Sequence, residues 1–181
     1  MSSNFYNTNS IILLGYMGSG KSTVGAALSE ALAIPFVDLD TRIEEQFDMS
    51  VPDLFVKKGA KLFREIEHDT LKEILVETTP KVISLGGGTP CYHNNLKQIL
   101  AATPHVFYLK ATPSELADRL YEGRESRPLI AHAATESELK EFIAKHIFER
   151  QAFYTQAPHH IHVSELSVTE VVRKVCALTE I

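Results

Sequence analysis

Cysteine is nearly absent. Cys91 and Cys176 are the only two in 181 residues, and neither belongs to a CxxC or Cys/His pair with metal-ligand spacing. That excludes a disulfide framework and a cysteine metal centre, and leaves reduced thiols as the expectation. Cys176 lies on an apolar helical stripe and reads as core. Excess positive charge is lacking as well: 18 Lys and Arg against 23 Asp and Glu give a net charge of -5. A broad basic face for nucleic acid or for an anionic membrane is therefore not expected, although a local basic pocket is compatible with this balance. No apolar run approaches membrane-spanning length, and the polar opening MSSNFYNTNS carries neither the basic nor the apolar region of a signal peptide. The expectation is a cytoplasmic protein. Its 181 residues, 44% hydrophobic, suit one domain spanning 1–181.

Glycine is scarce too, at nine residues, yet six of them fall in two short stretches. GYMGSGKST, Gly15 to Thr23, holds three, and Gly86, Gly87 and Gly88 are consecutive. Around these stretches the pattern alternates between strand and helix. SIILLG reads as a buried strand stopped by glycine, and KSTVGAALSEALA follows with Val24, Ala27, Leu28 and Leu32 at helical spacing. IPFVDLD, KVISLGGG and HVFYLK give three further apolar strands. KLFREIEHDTLKEIL reads as an amphipathic helix with Leu62, Phe63, Ile66, Leu71, Ile74 and Leu75 on one face and Arg64, Glu67 and Lys72 elsewhere. Capping patterns at Thr112, Thr135 and Ser167 start three more helices. Alternating strands and helices imply an α/β fold with a parallel sheet.

Gly15, Gly20, Lys21 and Ser22 fit G-x-x-x-x-G-K-[ST], the phosphate-binding loop pattern. Glycines let successive backbone N–H groups turn inward without a Cβ in the way, and the following helix directs its positive end at the same point. Lys21 adds a charge for the β- and γ-phosphates, and Ser22 can place a hydroxyl on Mg²⁺. Strand-end Asp38 and Asp40 alternate, so an extended chain would send both carboxylates from one face towards a shared ligand. Arg64 and Glu67, three apart, could form no more than a surface ion pair. Three consecutive glycines at 86–88 suit a backbone that something approaches closely. The irregular, arginine-rich segment 121–134 reads equally as an active-site lid or as a solvated loop. HHIH, His159 to His162, lacks the companion ligands of a metal site and reads as an exposed strand.

Taken in order, GYMGSGKSTVG, FVDLDTRIEE, FREIE, SLGGGTP, RPL and the arginine of FERQAFY resemble the shikimate kinase family, small P-loop kinases. The likeness runs from Ile11 to Tyr154. It implies a nucleoside-monophosphate-kinase-like, three-layer P-loop fold with a five-stranded parallel sheet and a lid near 121–134. It also implies transfer of the γ-phosphoryl group of ATP to the 3-hydroxyl of shikimate, with Mg²⁺. Carried over by residue, it makes Gly18, Ser19, Gly20, Lys21, Ser22 and Thr23 the ATP loop, with Ser22 and Asp38 serving the metal. Asp40 would hold the reacting hydroxyl, Arg64 and Arg150 the carboxylate, and Gly86, Gly87 and Gly88 the ring hydroxyls. Arg127 would reach the phosphates from the lid and Arg119 would lie near the adenine. Lys21, Asp40 and Arg127 would carry the chemistry, and a monomer is expected.

Two alternatives remain at this level. A kinase for gluconate or a nucleotide would leave the triple glycine and the Arg64, Arg150 pair unexplained. A nucleotide-binding regulatory module without catalysis would not need Lys21, Ser22, Asp38, Asp40 and Arg127 all intact.

Overall fold

Strands β1 (Ile11–Leu14), β2 (Phe36–Asp38), β3 (Val82–Ser84), β4 (Val106–Lys110) and β5 (His159–His162) pair in parallel, in the order β2-β3-β1-β4-β5. The computed structural model describes residues 9–179, so most of the polar opening stretch, residues 1–8, lies outside the described residues, as do 180 and 181. Among the described residues seven α-helices connect and cover the strands: α1 (Lys21–Leu32), α2 (Leu39–Phe47), α3 (Val51–Val76), α4 (Asn95–Ala102), α5 (Pro113–Tyr121), α6 (Glu136–Tyr154) and α7 (Val168–Thr179). Both faces of the sheet are covered, which is why its central strands read as continuous apolar runs. Ile11 and Leu13 of β1 point into a core shared with Val24, Leu28, Leu116, Ile143 and Val175. Ile12 and Leu14 point the other way, into a core with Leu39, Ile43, Leu71 and Ile99. All four side chains of β1 are fully buried, each contributing about 1.5–3 kcal/mol.

The helix starts at Thr112, Thr135 and Ser167 form as the capping patterns predict. Thr112 and Glu115 satisfy each other's backbone in a capping box, Thr135 accepts from the Glu138 N–H, and Ser167 accepts from the Glu170 N–H. Two expectations change. The strand in FVDLD stops at Asp38, and Asp40 lies in the first turn of α2. Asp38 caps that helix, its Oδ1 accepting from the N–H groups of Asp40 at 3.1 Å and Thr41 at 3.3 Å. Satisfying two orphan helix donors outweighs extending the strand by two residues. In α3 the apolar face is also drawn differently: Leu62 is exposed and Glu67 is buried. Gly59 (φ 78, ψ 159) breaks the helix just before that segment, and beyond the break the inner face is shared between the core, which takes Phe63, Leu71 and Ile74, and a cleft lined by Arg64 and Glu67.

Strand order reverses beside β1, which has β3 on one side and β4 on the other. Open parallel sheets bind ligands at such points, outside the carboxyl ends of the strands. The carboxyl ends of β1, β2 and β3 lead into Gly15 to Gly20, Asp38 to Asp40 and Gly86 to Gly88, so the topology gathers the three stretches singled out in the sequence.

Candidate active site

The loop between β1 and α1 leaves the start of α1 uncapped. Gly20 occupies the cap position with φ 92 and no side-chain bond, and the first turn holds no acidic residue. In contrast α2, α3, α5 and α6 are all capped by Asp, Ser or Thr side chains and carry an acid in the first turn. The free N–H groups and positive end of α1 therefore suit an exogenous anion. Ser19 supports this: its Oγ is buried and has no partner among the described residues, a cost that a phosphate oxygen would relieve. Lys21 is buried beside it, its Nζ donating to the Tyr16 carbonyl at 3.0 Å. Burial pulls the ammonium down to about 8, against the opposing charges of Asp40 and Asp38.

Ser22 donates its hydroxyl proton to Asp38 Oδ2 at 2.6 Å. That leaves the hydroxyl lone pairs for a cation, next to a carboxylate. Among the described residues no group of three His, Cys, Asp or Glu could hold a metal ion. Mg²⁺ fits such a sparse oxygen set, because it keeps several waters and takes the rest of its shell from substrate phosphates.

Next to the loop lies a cleft of about 900 Å³. It brings together Asp40, Arg64, Gly86, Gly87, Gly88, Arg127 and Arg150, residues spread over more than a hundred positions of sequence. Asp40 is held up at about 6, first by burial and then by the neighbouring charges of Asp38 and Glu67, with Lys21 opposing. Arg64 Nη1 donates to Glu67 Oε2 at 2.7 Å, and Thr89 Oγ1 donates to Glu67 Oε1, also at 2.7 Å. The Arg64 guanidinium lies 4.3 Å from the centre of the Tyr92 ring, a stacked geometry that fixes the fork as well as its charge.

The triple glycine is explained by what approaches it. A Cβ on Gly88 would lie 2.6 Å from Arg64 Nη2, and one on Gly86 would lie 3.0 Å from Asp40 Oδ1 and 3.1 Å from Glu67 Oε1. The Gly87 carbonyl accepts from the Tyr154 hydroxyl at 2.5 Å. The glycines thus admit the side chains that face the cleft.

Arg150 is nearly buried, with Nη2 2.9 Å from His146 Nε2. The other ring nitrogen of His146, Nδ1, lies 3.0 Å from the Tyr16 hydroxyl. Arginine has no acceptor, so Nε2 accepts and the ring proton resides on Nδ1, towards Tyr16. Burial raises the Tyr16 phenol to about 12, so that group stays protonated.

The segment between α5 and α6 contains a 3₁₀ turn, Arg124–Ser126. Arg124 ties its two ends, donating to the Tyr121 carbonyl at 3.0 Å and the Ala133 carbonyl at 2.9 Å, and Ile130 anchors the segment in the core. Arg127 is exposed at the rim of the cleft, its Nη1 on the Gly123 carbonyl at 3.0 Å. Arg119 reaches from α5 to the Gly18 carbonyl at 3.1 Å, across the phosphate loop.

The sequence reading missed Glu67, Thr89, Tyr92, His146 and Tyr154. Glu67 had a signal, its i, i+3 spacing from Arg64, but was assigned to the outside of the helix. Thr89 and Tyr92 follow the glycines closely enough to have been tested as neighbours. His146 sits one helical turn before Arg150, and only the fold shows that both face the cleft.

A shikimate kinase family model matches residues 17–180. The shikimate kinase of Flavobacterium johnsoniae is 42% identical over 165 residues, covering 91% of this chain and 95% of that protein. The crystal structure of shikimate kinase from Bacteroides thetaiotaomicron superposes with a TM-score of 0.84 at 35% identity, over 95% of this chain and 98% of that one. Shikimate kinase from Acinetobacter baumannii in complex with shikimate gives the same TM-score, 0.84, at 28% identity, over 96% of this chain and 94% of that one.

Proposed function

This chain belongs to the shikimate kinase family, and from that premise we propose that it phosphorylates the 3-hydroxyl of shikimate from ATP, with the cleft residues in distinct roles. The observation that carries the assignment is the convergence of Asp40, Arg64, Arg150 and the glycine backbone at 86–88 on one cleft beside an uncapped phosphate loop. Shikimate is a small carboxylate bearing several hydroxyls, and the cleft offers two arginines for the former with an aspartate and peptide groups for the latter.

Gly18, Ser19, Gly20, Lys21, Ser22 and Thr23 cradle the ATP phosphates. Ser22 and Asp38 would hold Mg²⁺, which would supply positive charge beside the ATP phosphates. Arg64 and Arg150 clamp the carboxylate through directed, charge-assisted bonds. Asp40 accepts from the reacting hydroxyl and orients it. Phosphoryl transfer passes through a loose transition state, so orientation precedes proton loss, and Asp40 takes the proton late. Arg127 leaves the Gly123 carbonyl for the transferring phosphoryl group, and Lys21 holds the same charge from the loop side. Arg119 contributes to the nucleotide side.

Segment 121–134 acts as the lid of a single kinase domain that works as a cytoplasmic monomer. Among the described residues no helix is long and apolar enough to cross a membrane. A coupled assay of ADP release tests the proposal. Release should depend on shikimate and should not be supported by gluconate or nucleoside monophosphates. Equal turnover with gluconate would overturn the substrate, and ATP binding without turnover on any of them would overturn the enzyme.

A further inference from the structure

Arg150 differs from Arg64 in what holds it. Arg64 is anchored by a carboxylate, Glu67, which accepts its bond at 2.7 Å. Arg150 is anchored by an imidazole one turn earlier on α6, at 2.9 Å. An imidazole can accept only while neutral. Protonation would place an N–H at Nε2 opposite the guanidinium N–H, removing the bond and setting two cations against each other.

We propose that His146 is a positioning residue that aims Arg150 at the substrate carboxylate and releases it on protonation, so that shikimate affinity falls on the acid side of neutrality. This rests on the reading of Arg150 as a carboxylate ligand. His146 is held between two elements. On one side the Arg150 guanidinium packs 5.6 Å from the Tyr16 ring centre, and on the other Tyr16 OH meets His146 Nδ1 at 3.0 Å. The Tyr16 carbonyl in turn receives Lys21 Nζ. His146 thus ties the carboxylate arginine to the phosphate loop, whereas a purely packing residue would need neither ring nitrogen.

The groups that set its charge are few. From its own helix Arg150 opposes protonation and Glu149 favours it. The β1–α1 loop presents Tyr16, which stays neutral, and the lid presents Arg127 to the same cleft. The ring of Phe142, 5.2 Å away, screens it from His132 on the lid side. Burial and Arg150 together hold the imidazole below its ordinary value. The sign follows: the neutral, accepting form prevails at pH 7, and the acceptor is lost as pH falls through a value under about 6.5.

The experiment is steady-state kinetics of the full chain, varying shikimate at saturating MgATP between pH 7.5 and 5.5, a range in which the substrate carboxylate stays ionised. For the parent, KM for shikimate should rise as pH falls to 5.5, towards a ceiling of about tenfold once the ring is fully protonated, the effect of losing one charge-assisted bond. His146→Gln keeps an acceptor near Nε2 that does not titrate, so its KM should rise less than the parent's, leaving only the share set by Asp40, which titrates at about 6. His146→Leu should show the high KM at every pH. A parental KM that is flat to pH 5.5, a His146→Gln variant that keeps the full parental acid rise, or a His146→Leu variant with parental KM at pH 7.5 would each overturn the proposal. Should the leucine variant not fold, the glutamine profile decides alone. Arg150→Ala separates the premise from the inference. If it leaves KM for shikimate unchanged, the carboxylate reading fails and takes the inference with it. If it raises KM while His146→Gln keeps the full parental acid rise, the inference alone fails.

Discussion

On the wall of the cleft, Arg64 and Arg150 are held by side chains: Glu67 and the Tyr92 ring for one, His146 and the Tyr16 ring for the other. On the lid side, Arg127 and Arg119 rest on backbone carbonyls, Gly123 and Gly18, and both are exposed. The difference lies in what a ligand must displace. A carboxylate meeting Arg64 finds the guanidinium already oriented, with N–H groups left over, so little freedom is lost on binding. A phosphate meeting Arg127 replaces a neutral carbonyl with a charged acceptor that the guanidinium fork can grip through two parallel bonds. On the proposed function, the wall would serve recognition and Arg127 would be the cation free to move when phosphates arrive.

Removing the mobile side alone is the sharpest test. Arg127→Ala should lower turnover by about 10³ to 10⁵, the range of an arginine acting on a transferring phosphoryl group. KM for shikimate should stay near the parental value, because the wall is untouched. Near-normal turnover would remove Arg127 from the chemistry. An equal loss in shikimate affinity would mean that wall and lid are not separable.

Asp40 sits where the two sides meet. Asp40→Asn keeps the size and one acceptor but removes the charge, and turnover should fall about 10² to 10⁴ while MgATP still binds. Asp38→Asn should instead raise the Mg²⁺ concentration needed for half-maximal activity, with shikimate affinity little changed. Matching defects in Mg²⁺ and shikimate titrations of both variants would mean that the aspartates act as one site.

How much of this was legible depends on whether a residue's role is set nearby in sequence. The phosphate loop was readable because Gly20, Lys21 and Ser22 act through the backbone they belong to. The helix starts were readable because a cap and its acid lie three residues apart. Asp40 was misplaced on the strand because FVDLD alternates perfectly well as an extended segment, and only the unsatisfied N–H groups of α2 recruit Asp38 as a cap. Glu67 was put outside because its position breaks the apolar stripe, and a buried polar face shows only once the cleft is known. His146 had only its four-residue spacing from Arg150, and its other partner, Tyr16, lies 130 residues away.

Gly88 tests the wall from the backbone. Gly88→Ala would place a methyl 2.6 Å from Arg64 Nη2, so the guanidinium must leave its position on Glu67. KM for shikimate should rise about tenfold or more, the loss of one charge-assisted bond, with ATP affinity held. Arg64→Lys should behave alike, since an ammonium keeps the charge but not the planar fork. If either variant weakened ATP alone, the carboxylate assignment of Arg64 would be wrong.

The smallest effect expected lies behind the wall, at Thr89. Its hydroxyl donates to Glu67 Oε1 in a fully buried setting, while Arg64 occupies Oε2. Thr89→Val keeps the shape and removes that donor, leaving one carboxylate oxygen short of a partner. An unsatisfied buried acceptor costs about 1–3 kcal/mol, and in a chain of this size each kcal/mol lowers Tm by about 2–4 °C. Arg64 keeps its own bond to Oε2, so KM for shikimate should change far less than in Arg64→Lys. Thermal melting and KM measured on the same preparation separate the two consequences. A lower Tm with steady KM fits a wall whose orientation is set by the Arg64 to Glu67 bond itself. A KM that rises as far as in Arg64→Lys would show that Glu67 needs both partners to hold the arginine, and the wall would then be a cooperative network rather than a set of separate anchors.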